Sequence, residues 1–148
     1  MDKFMKLAIK EAEKGILSEH GGPFGAVIVR DGLVISKGHN HVVVNLDPTQ
    51  HGEIDAIRKA CKKLKTFDLT GCSLYTTAEP CPMCLGAILW ANISKVYYGC
   101  TVQDTENIGF RDKRFYEDGK KATQMLEIDR LDCLKLFEEY RHVHKTNY

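Results

Sequence analysis

The sequence lacks any long apolar run and any large excess of charge of one sign. Its N-terminus is charged from Asp2 onwards, so we expect neither a signal peptide nor a membrane span. The formal net charge of +1 gives no strong overall field to attract nucleic acid. Repeats, low-complexity tracts and linkers are also lacking, which predicts one domain over residues 1–148. We expect a cytoplasmic protein, because six unevenly spaced cysteines fit a reducing compartment better than a disulfide framework.

Two short motifs carry chemistry, HGE at 51–53 and PCPMC at 80–84. One neutral imidazole and two thiolates are ligands that zinc accepts, and three protein ligands leave a fourth position open. Zinc lowers the pKa of a bound water from about 15.7 toward about 7, so hydroxide forms at neutral pH. The spacing therefore predicts one catalytic Zn²⁺ per chain, held by His51, Cys81 and Cys84, with Glu53 moving protons.

Local sequence predicts how each motif is presented. Asp47 and Pro48 are typical of an N-cap and a first helical residue, which would place His51 and Glu53 in the first turn of a helix. Pro82 likewise predicts a second helix that begins beside the cysteines. The positive end of that helix dipole favours thiolate over thiol, as zinc coordination requires.

Two other interpretations of the cysteine pair stay open. A C-x-x-C motif can be a redox pair or half of a closed structural zinc site. Nothing else in the chain resembles a thioredoxin, and a closed site needs a fourth ligand, for which Cys61, Cys72 and Cys100 compete. Glu53 favours the catalytic interpretation, because a structural site has no use for it.

Hydrophobic periodicity predicts an α/β fold. An amphipathic helix is expected over residues 2–17, followed by a strand at 24–30 that is covered on both faces. Asp31-Gly32 predicts a tight hairpin into the next strand. Further strands are expected at 72–77, 95–99 and 123–128, with a terminal helix from Leu131. Residues 101–119 lack a clear pattern, but aromatics in so long a connection are more typical of a functional loop.

With HGE, PCPMC and the strand PFGAVIV in this order, the chain resembles the cytidine deaminase-like superfamily over most of its length. Within it the closest resemblance is to bacterial guanine deaminases. The resemblance implies a three-layer α/β/α sandwich with a mixed sheet of about five strands. It also implies hydrolysis of guanine to xanthine and ammonia by zinc-bound hydroxide. Such relatives resemble homodimers that exchange C-terminal segments, here about residues 120–148.

The same resemblance assigns further site residues. It implies that Asn40 holds the purine edge and that Phe24 and Trp90 flank the base. The resemblance also implies an acidic residue, late in the sequence, that lies near the amino group of the substrate. Asp112 matches this position and is expected to act with Glu53 in catalysis. The final Tyr148 matches a tyrosine that closes the pocket, and Asp112 and Tyr148 could then act across a subunit boundary.

Three further features of the sequence concern the residues around this site. Gly52 replaces the alanine that is usual between the histidine and the glutamate, which puts local rigidity in question. Arg111 stands where an acidic residue is more usual, and we expect it to lower the pKa of Asp112. Four other histidines have no ligand spacing to the zinc motif and are expected at the surface: His39, His41, His142 and His144.

Two rival functions remain at this point. A tRNA-specific adenosine deaminase would share the zinc motif, and basic residues do cluster at 58–65 and 111–114. The tRNA-acting relatives resemble each other in a strongly basic C-terminal helix, whereas this one mixes acidic and basic residues. The other rival is a catalytically silent zinc scaffold that binds a partner, against which Glu53 argues.

Overall fold

A four-stranded mixed sheet forms the centre of the computed structural model, which describes residues 1–143. The strands are β1 (Gly25–Arg30), β2 (Leu33–His39), β3 (Cys72–Ala78) and β4 (Lys95–Cys100). Their order is β2-β1-β3-β4. β1 is antiparallel to both β2 and β3, while β3 and β4 are parallel. The strands on either side of each helical crossover therefore run in the same direction, as the sequence predicts.

Seven helices lie in the described part of the chain. They are α1 (Lys3–Leu17), α2 (Val42–Asn45), α3 (Gly52–Leu64), α4 (Pro82–Trp90), α5 (Val102–Asn107), α6 (Asp112–Asp118) and α7 (Arg130–Val143). Asp2 caps α1 by accepting hydrogen bonds from the backbone N–H groups of Phe4 and Met5. None of the helices in residues 1–143 is both long enough and apolar enough to cross a membrane.

The sheet is buried between two helical layers. Alternate side chains of β1 point to opposite faces, so Val27 and Val29 pack with α1 while Ala26 and Ile28 pack with α3 and α4. Every residue of β1 except Arg30 is buried, which confirms the prediction of a strand covered on both faces. The three-layer α/β/α sandwich is therefore confirmed.

The β1–β2 hairpin also follows the prediction. Asp31 and Gly32 have φ angles of 50° and 74°, so both adopt the left-handed conformation that a tight primed turn requires. Arg30 pairs with Leu33 directly across this turn. The hairpin returns the chain so that β2 ends at His39, immediately before Asn40.

The prediction of a fifth strand at 123–128 is wrong for the described residues. Met125, Leu126 and Ile128 are 73%, 76% and 76% exposed and pair with no strand. A strand needs an adjacent edge to accept its backbone hydrogen bonds, and this segment does not lie along an edge of its own sheet. The terminal helix is confirmed as α7, but no residue of α7 is buried.

The weakly patterned connection at 101–119 folds into α5 and α6. Thr101 and Asp104 form a capping box at the start of α5. Val102 donates its backbone N–H to Glu79 Oε2 at 3.0 Å, which ties α5 to the segment that leads into the cysteine motif. This connection thereby lies near the ends of β3 and β4 rather than apart from the sheet.

Candidate metal centre and pocket

The two motifs meet where α3 and α4 begin. His51 immediately precedes α3, and Cys81 immediately precedes α4, while Cys84 lies in the first turn of α4. The start of α4 at Pro82 confirms the prediction for the cysteine motif. The helix start at Asp47-Pro48 is wrong, because Asp47 instead accepts hydrogen bonds from the backbone and side chain of Thr49 in a local turn.

The three predicted ligands form one cluster. His51 Nδ1 lies 3.7 Å from Cys81 Sγ and 3.6 Å from Cys84 Sγ. A tetrahedral zinc with bonds of about 2.3 Å to sulfur and about 2.05 Å to nitrogen places such atoms about 3.6 Å apart. The spacing therefore fits zinc. No other cysteine or histidine joins this cluster within residues 1–143, so the closed four-ligand alternative lacks a fourth ligand there.

The two cysteine thiols differ in how readily they lose their protons. Hydrogen bonds from the Cys84 thiol, His51 and the Cys84 backbone lower the pKa of Cys81 to about 4. Donation to the Cys81 sulfur, together with burial, raises the pKa of Cys84, so the metal-free pair carries one shared negative charge. A divalent cation replaces that proton and lets both sulfurs bind as thiolates.

Glu53 lies beside the cluster and is 5% exposed. Its Oε1 accepts a hydrogen bond from Thr76 Oγ1 of β3 at 3.3 Å, and its Oε2 lies 3.5 Å from Cys84 Sγ. Burial raises the pKa of the Glu53 carboxyl above its usual range. A carboxyl with a raised pKa holds a proton more readily than an ordinary one and can still release it, which suits a general acid and base.

A pocket of about 330 Å³ opens onto Glu53 and the metal cluster. Asn40 lines it, is 4% exposed, and accepts a hydrogen bond from the Val42 backbone through Oδ1 at 3.0 Å. The Asn40 backbone donates to the carbonyl of Phe24 at 3.0 Å, so the two predicted base-binding residues are held together. The Phe24 ring meets Phe110 edge to face, with ring centroids 4.8 Å apart.

The α5–α6 segment covers one side of this pocket. Phe110, Arg111 and Asp112 all line it. Tyr116 of α6 donates its hydroxyl to the carbonyl of Pro80, which directly precedes the metal ligand Cys81. Sequence reasoning assigned no role to Phe110 or Tyr116, although the aromatic residues in a long connection were the signal that could have found them.

Asp112 differs from the expectation drawn from its neighbour. Burial and then the Cys81 thiolate raise the pKa of Asp112, so the predicted lowering by Arg111 is wrong. The physical reason is that the Arg111 guanidinium lies over the Phe115 ring, 5.1 Å from its centroid. Asp112 instead lines the pocket onto which Glu53 also opens.

One predicted contact is not formed among the described residues, and another involves a residue beyond them. Trp90 is 66% exposed and lines a separate cleft with Ile57 and Phe67, so within one chain it does not pair with Phe24. It follows Cys84 by six residues, which places it about 9 Å along the helix axis and about 240° around it. Tyr148 lies outside the described residues.

Gly52 has a structural reason that the sequence did not reveal. A Cβ atom at this position would lie 2.9 Å from the carbonyl oxygen of Phe24 and 3.2 Å from its carbonyl carbon. The same oxygen accepts the Asn40 hydrogen bond. The missing side chain lets α3 begin directly against the Phe24 peptide, so Gly52 is part of the packing between the metal centre and the pocket.

Two histidines expected at the surface are not there. His39 is 4% exposed and stacks on His41, with ring centroids 4.1 Å apart, and His41 is half-buried. Spacing along the chain could not reveal this, because the third ring of the stack, His20, comes from the α1–β1 connection. His142 is exposed on α7 as expected, and His144 lies outside the described residues.

The first 100 residues match the cytidine and deoxycytidylate deaminase zinc-binding region. This chain belongs to that family. The resemblance inferred from the motifs is therefore confirmed, and the zinc-binding family together with the cluster of His51, Cys81 and Cys84 supports one Zn²⁺ ion per chain.

Known relatives of this deaminase extend the likeness beyond the motif. The guanine deaminase of Bacillus subtilis is 47% identical over 123 residues, which is 83% of this chain and 79% of the relative. The X-ray structure of guanine deaminase from Bacillus subtilis matches with a TM-score of 0.92 at 40% identity, over 100% of this chain and 99% of the other. The tRNA-specific adenosine deaminase of Buchnera aphidicola subsp. Baizongia pistaciae is 36% identical over 141 residues, covering 93% and 85%.

Proposed function

We propose that this deaminase hydrolyses free guanine to xanthine and ammonia. The observation that carries the proposal is the enclosure of the metal centre by the α5–α6 segment. Phe110 packs on Phe24 at one end, and Tyr116 is hydrogen-bonded to Pro80 at the other. The space that remains, about 330 Å³, suits a free base better than a nucleotide within a folded RNA.

Glu53 is the proposed proton carrier. When bound, zinc supplies a Lewis acid that makes a water molecule nucleophilic near neutral pH. Glu53 takes up the proton that the water loses and delivers it to the ring nitrogen beside C2 of guanine. Glu53 then takes the proton of the hydroxyl newly bonded to C2 and helps to pass it to the amino group, so C2 becomes a carbonyl, the C2–N bond breaks and ammonia leaves. Thr76 orients the carboxyl by its hydrogen bond to Oε1, and proton transfer of this kind contributes about 10²-fold to 10⁴-fold.

Asn40 and Phe24 are proposed to position the base. The backbone N–H of Val42 donates a hydrogen bond to Oδ1 of Asn40. The Nδ2 amide group is therefore left to donate to an acceptor on the purine edge. Phe24 supplies an aromatic face at the same wall of the pocket. Asp112 stands on the opposite covering segment, where its carboxyl can accept a hydrogen bond from the exocyclic amino group and pass a proton to it.

Ammonia release by the zinc-loaded enzyme tests this assignment. The substrates are guanine, adenine, cytosine, cytidine, adenosine and a tRNA, each assayed at two salt concentrations. We expect turnover of guanine far above the rest. Release from tRNA but not from guanine, with a steep loss of activity at higher salt, would instead support the RNA-acting alternative. Zinc binding without turnover of any substrate would support the silent scaffold.

We also propose that the active form is a homodimer that exchanges the segment from about residue 120 onward. α7 has no buried residue, and its apolar side chains Leu131, Leu136 and Phe137 are 73%, 63% and 64% exposed. A groove of about 740 Å³ lies along Leu136 and Phe137. A second copy of this chain would cover both this helix and the exposed residues of 125–128, and it would bring Tyr148 to the partner's pocket.

Light scattering on the wild type and on Leu136→Lys tests the dimer, with Lys135→Gln as a control on the same helix. Lys135 is exposed, and within residues 1–143 it pairs with Asp132, three positions earlier on the same helix. We expect a dimer for the wild type and the control, and a monomer for Leu136→Lys. A wild-type monomer at micromolar concentration would refute the exchange.

We further propose a cytoplasmic location, where six unpaired cysteines stay reduced.

A further inference from the structure

A second cluster of imidazoles lies apart from the zinc ligands. His39 ends β2, His41 follows two residues later, and His20 comes from the connection between α1 and β1. One ring nitrogen of each lies within 4.8 Å of a ring nitrogen of the other two. This group shares no residue with the zinc cluster, and the deamination proposed above makes no use of it.

The hydrogen bonds of His39 and His41 through Nδ1 leave a lone pair on the Nε2 atom of each ring, and that of His39 meets His20. His39 Nδ1 lies 3.2 Å from Glu11 Oε2, and His41 Nδ1 lies 2.7 Å from the carbonyl of His39. Both partners are acceptors, so each Nδ1 carries the proton and each Nε2 keeps its lone pair. Metal-binding histidines are oriented in this way, with the distal N–H held by a carboxylate or a backbone carbonyl.

The distance between the first two rings also fits a metal. His20 Nδ1 lies 2.9 Å from His39 Nε2, and the two nitrogens share a hydrogen bond that a bound ion would replace. Two nitrogens that bind one ion at a right angle, with bonds of about 2.05 Å, lie about 2.9 Å apart, whereas a tetrahedral pair lies about 3.3 Å apart. Right-angled imidazole ligation is typical of Cu²⁺ and Ni²⁺.

We propose that His20, His39 and His41 form a second metal site that takes a divalent transition-metal ion of the nickel or copper type. The rings lie within 14° to 27° of parallel, so His20 and His41 must turn to aim their lone pairs at one ion. Both are only half-buried, so neither ring is fully enclosed by protein, while the buried His39 stays fixed by Glu11. Burial also lowers the pKa of His39, which keeps its ring neutral and able to bind a cation.

The histidine cluster lies next to the pocket wall that contains Asn40. Asn40 lies between two of the three ligands, and the His20 carbonyl accepts backbone hydrogen bonds from Val43 and Val44 at 3.0 and 3.1 Å. A metal ion here would fasten the α1–β1 connection to the end of β2 on both sides of Asn40. The site therefore adjoins the base-binding wall without sharing its side chains.

Calorimetric titration of Ni²⁺ into the zinc-loaded enzyme tests the site, with elemental analysis to verify that the zinc stays bound. The variants are His20→Gln and His41→Gln, and His142→Gln on the exposed face of α7 is the control. We expect one equivalent of Ni²⁺ for the wild type and the control, with affinity at least ten-fold weaker in both cluster variants. Equal binding in all four proteins, or no binding by the wild type, would overturn the proposal.

Electron paramagnetic resonance of added Cu²⁺ provides a second measurement on the unaltered protein. We expect hyperfine coupling to at least two imidazole nitrogens in the wild type and in His142→Gln. A spectrum of oxygen ligation alone would overturn the proposal even if a cluster variant failed to fold. Neither measurement depends on turnover, so a negative result would leave the proposed guanine deamination standing.

Discussion

The hydroxyl of Tyr116 offers a direct test of how the α6 segment closes the pocket. Tyr116→Phe removes only the hydrogen bond to the Pro80 carbonyl and leaves the ring in place. A hydrogen bond of this kind contributes about 0.5–1.5 kcal/mol. If that free energy holds α6 over the pocket, kcat/KM for guanine should fall by about 2-fold to 13-fold, since about 1.4 kcal/mol corresponds to a factor of ten.

The assay compares kcat/KM, zinc content and thermal unfolding of Tyr116→Phe with the wild type. Tyr98→Phe, a half-exposed tyrosine on β4, is the matched control. We expect lower kcat/KM only in Tyr116→Phe, with one zinc retained in every protein. An unchanged kcat/KM would refute the covering role of α6. Loss of zinc together with activity would show that Tyr116 instead supports the metal loop through Pro80.

Three further substitutions probe the pocket walls. Asn40→Ala should raise KM and lower kcat/KM by about 5-fold to 150-fold, as expected when a partner contributing about 1–3 kcal/mol is lost; steady-state kinetics with normal zinc content checks this. Asp112→Asn should reduce kcat by about 10²-fold or more, because the amide cannot carry a proton, and wild-type kcat would rule out that role. Gly52→Ala should raise KM without loss of zinc, because the added Cβ would lie 2.9 Å from the Phe24 carbonyl oxygen and displace Phe24. An unchanged KM would mean that this displacement does not affect base binding.

The metal site was predictable because its chemistry is local in sequence. Pro82 fixes the start of α4, and the helix start then brings Cys81 and Cys84 to one point. His51 lies beside the two cysteines as predicted, although its helix begins later than expected. A turn centred on Asp47 uses the same residue types as a helix cap, so composition alone could not distinguish the two.

What the sequence could not predict depends on contacts between distant segments. Tyr116 reaches Pro80 across 36 positions, and His20 reaches His39 across 19. The apolar residues of 123–128 have the composition of a strand, but pairing requires an edge that this segment does not meet in its own sheet. The composition of that segment therefore favoured a strand, but it could not show whether a pairing edge lies beside it.

Glu53 is expected to move the proton during deamination, whereas zinc binding is expected not to depend on Glu53. Guanine turnover and zinc content of Glu53→Gln test this most directly, with Glu117→Gln on the exposed side of α6 as the control. We predict one zinc per chain in all proteins and a loss of turnover of at least about 10²-fold in Glu53→Gln alone. Near-normal turnover by a zinc-loaded Glu53→Gln variant would contradict the account.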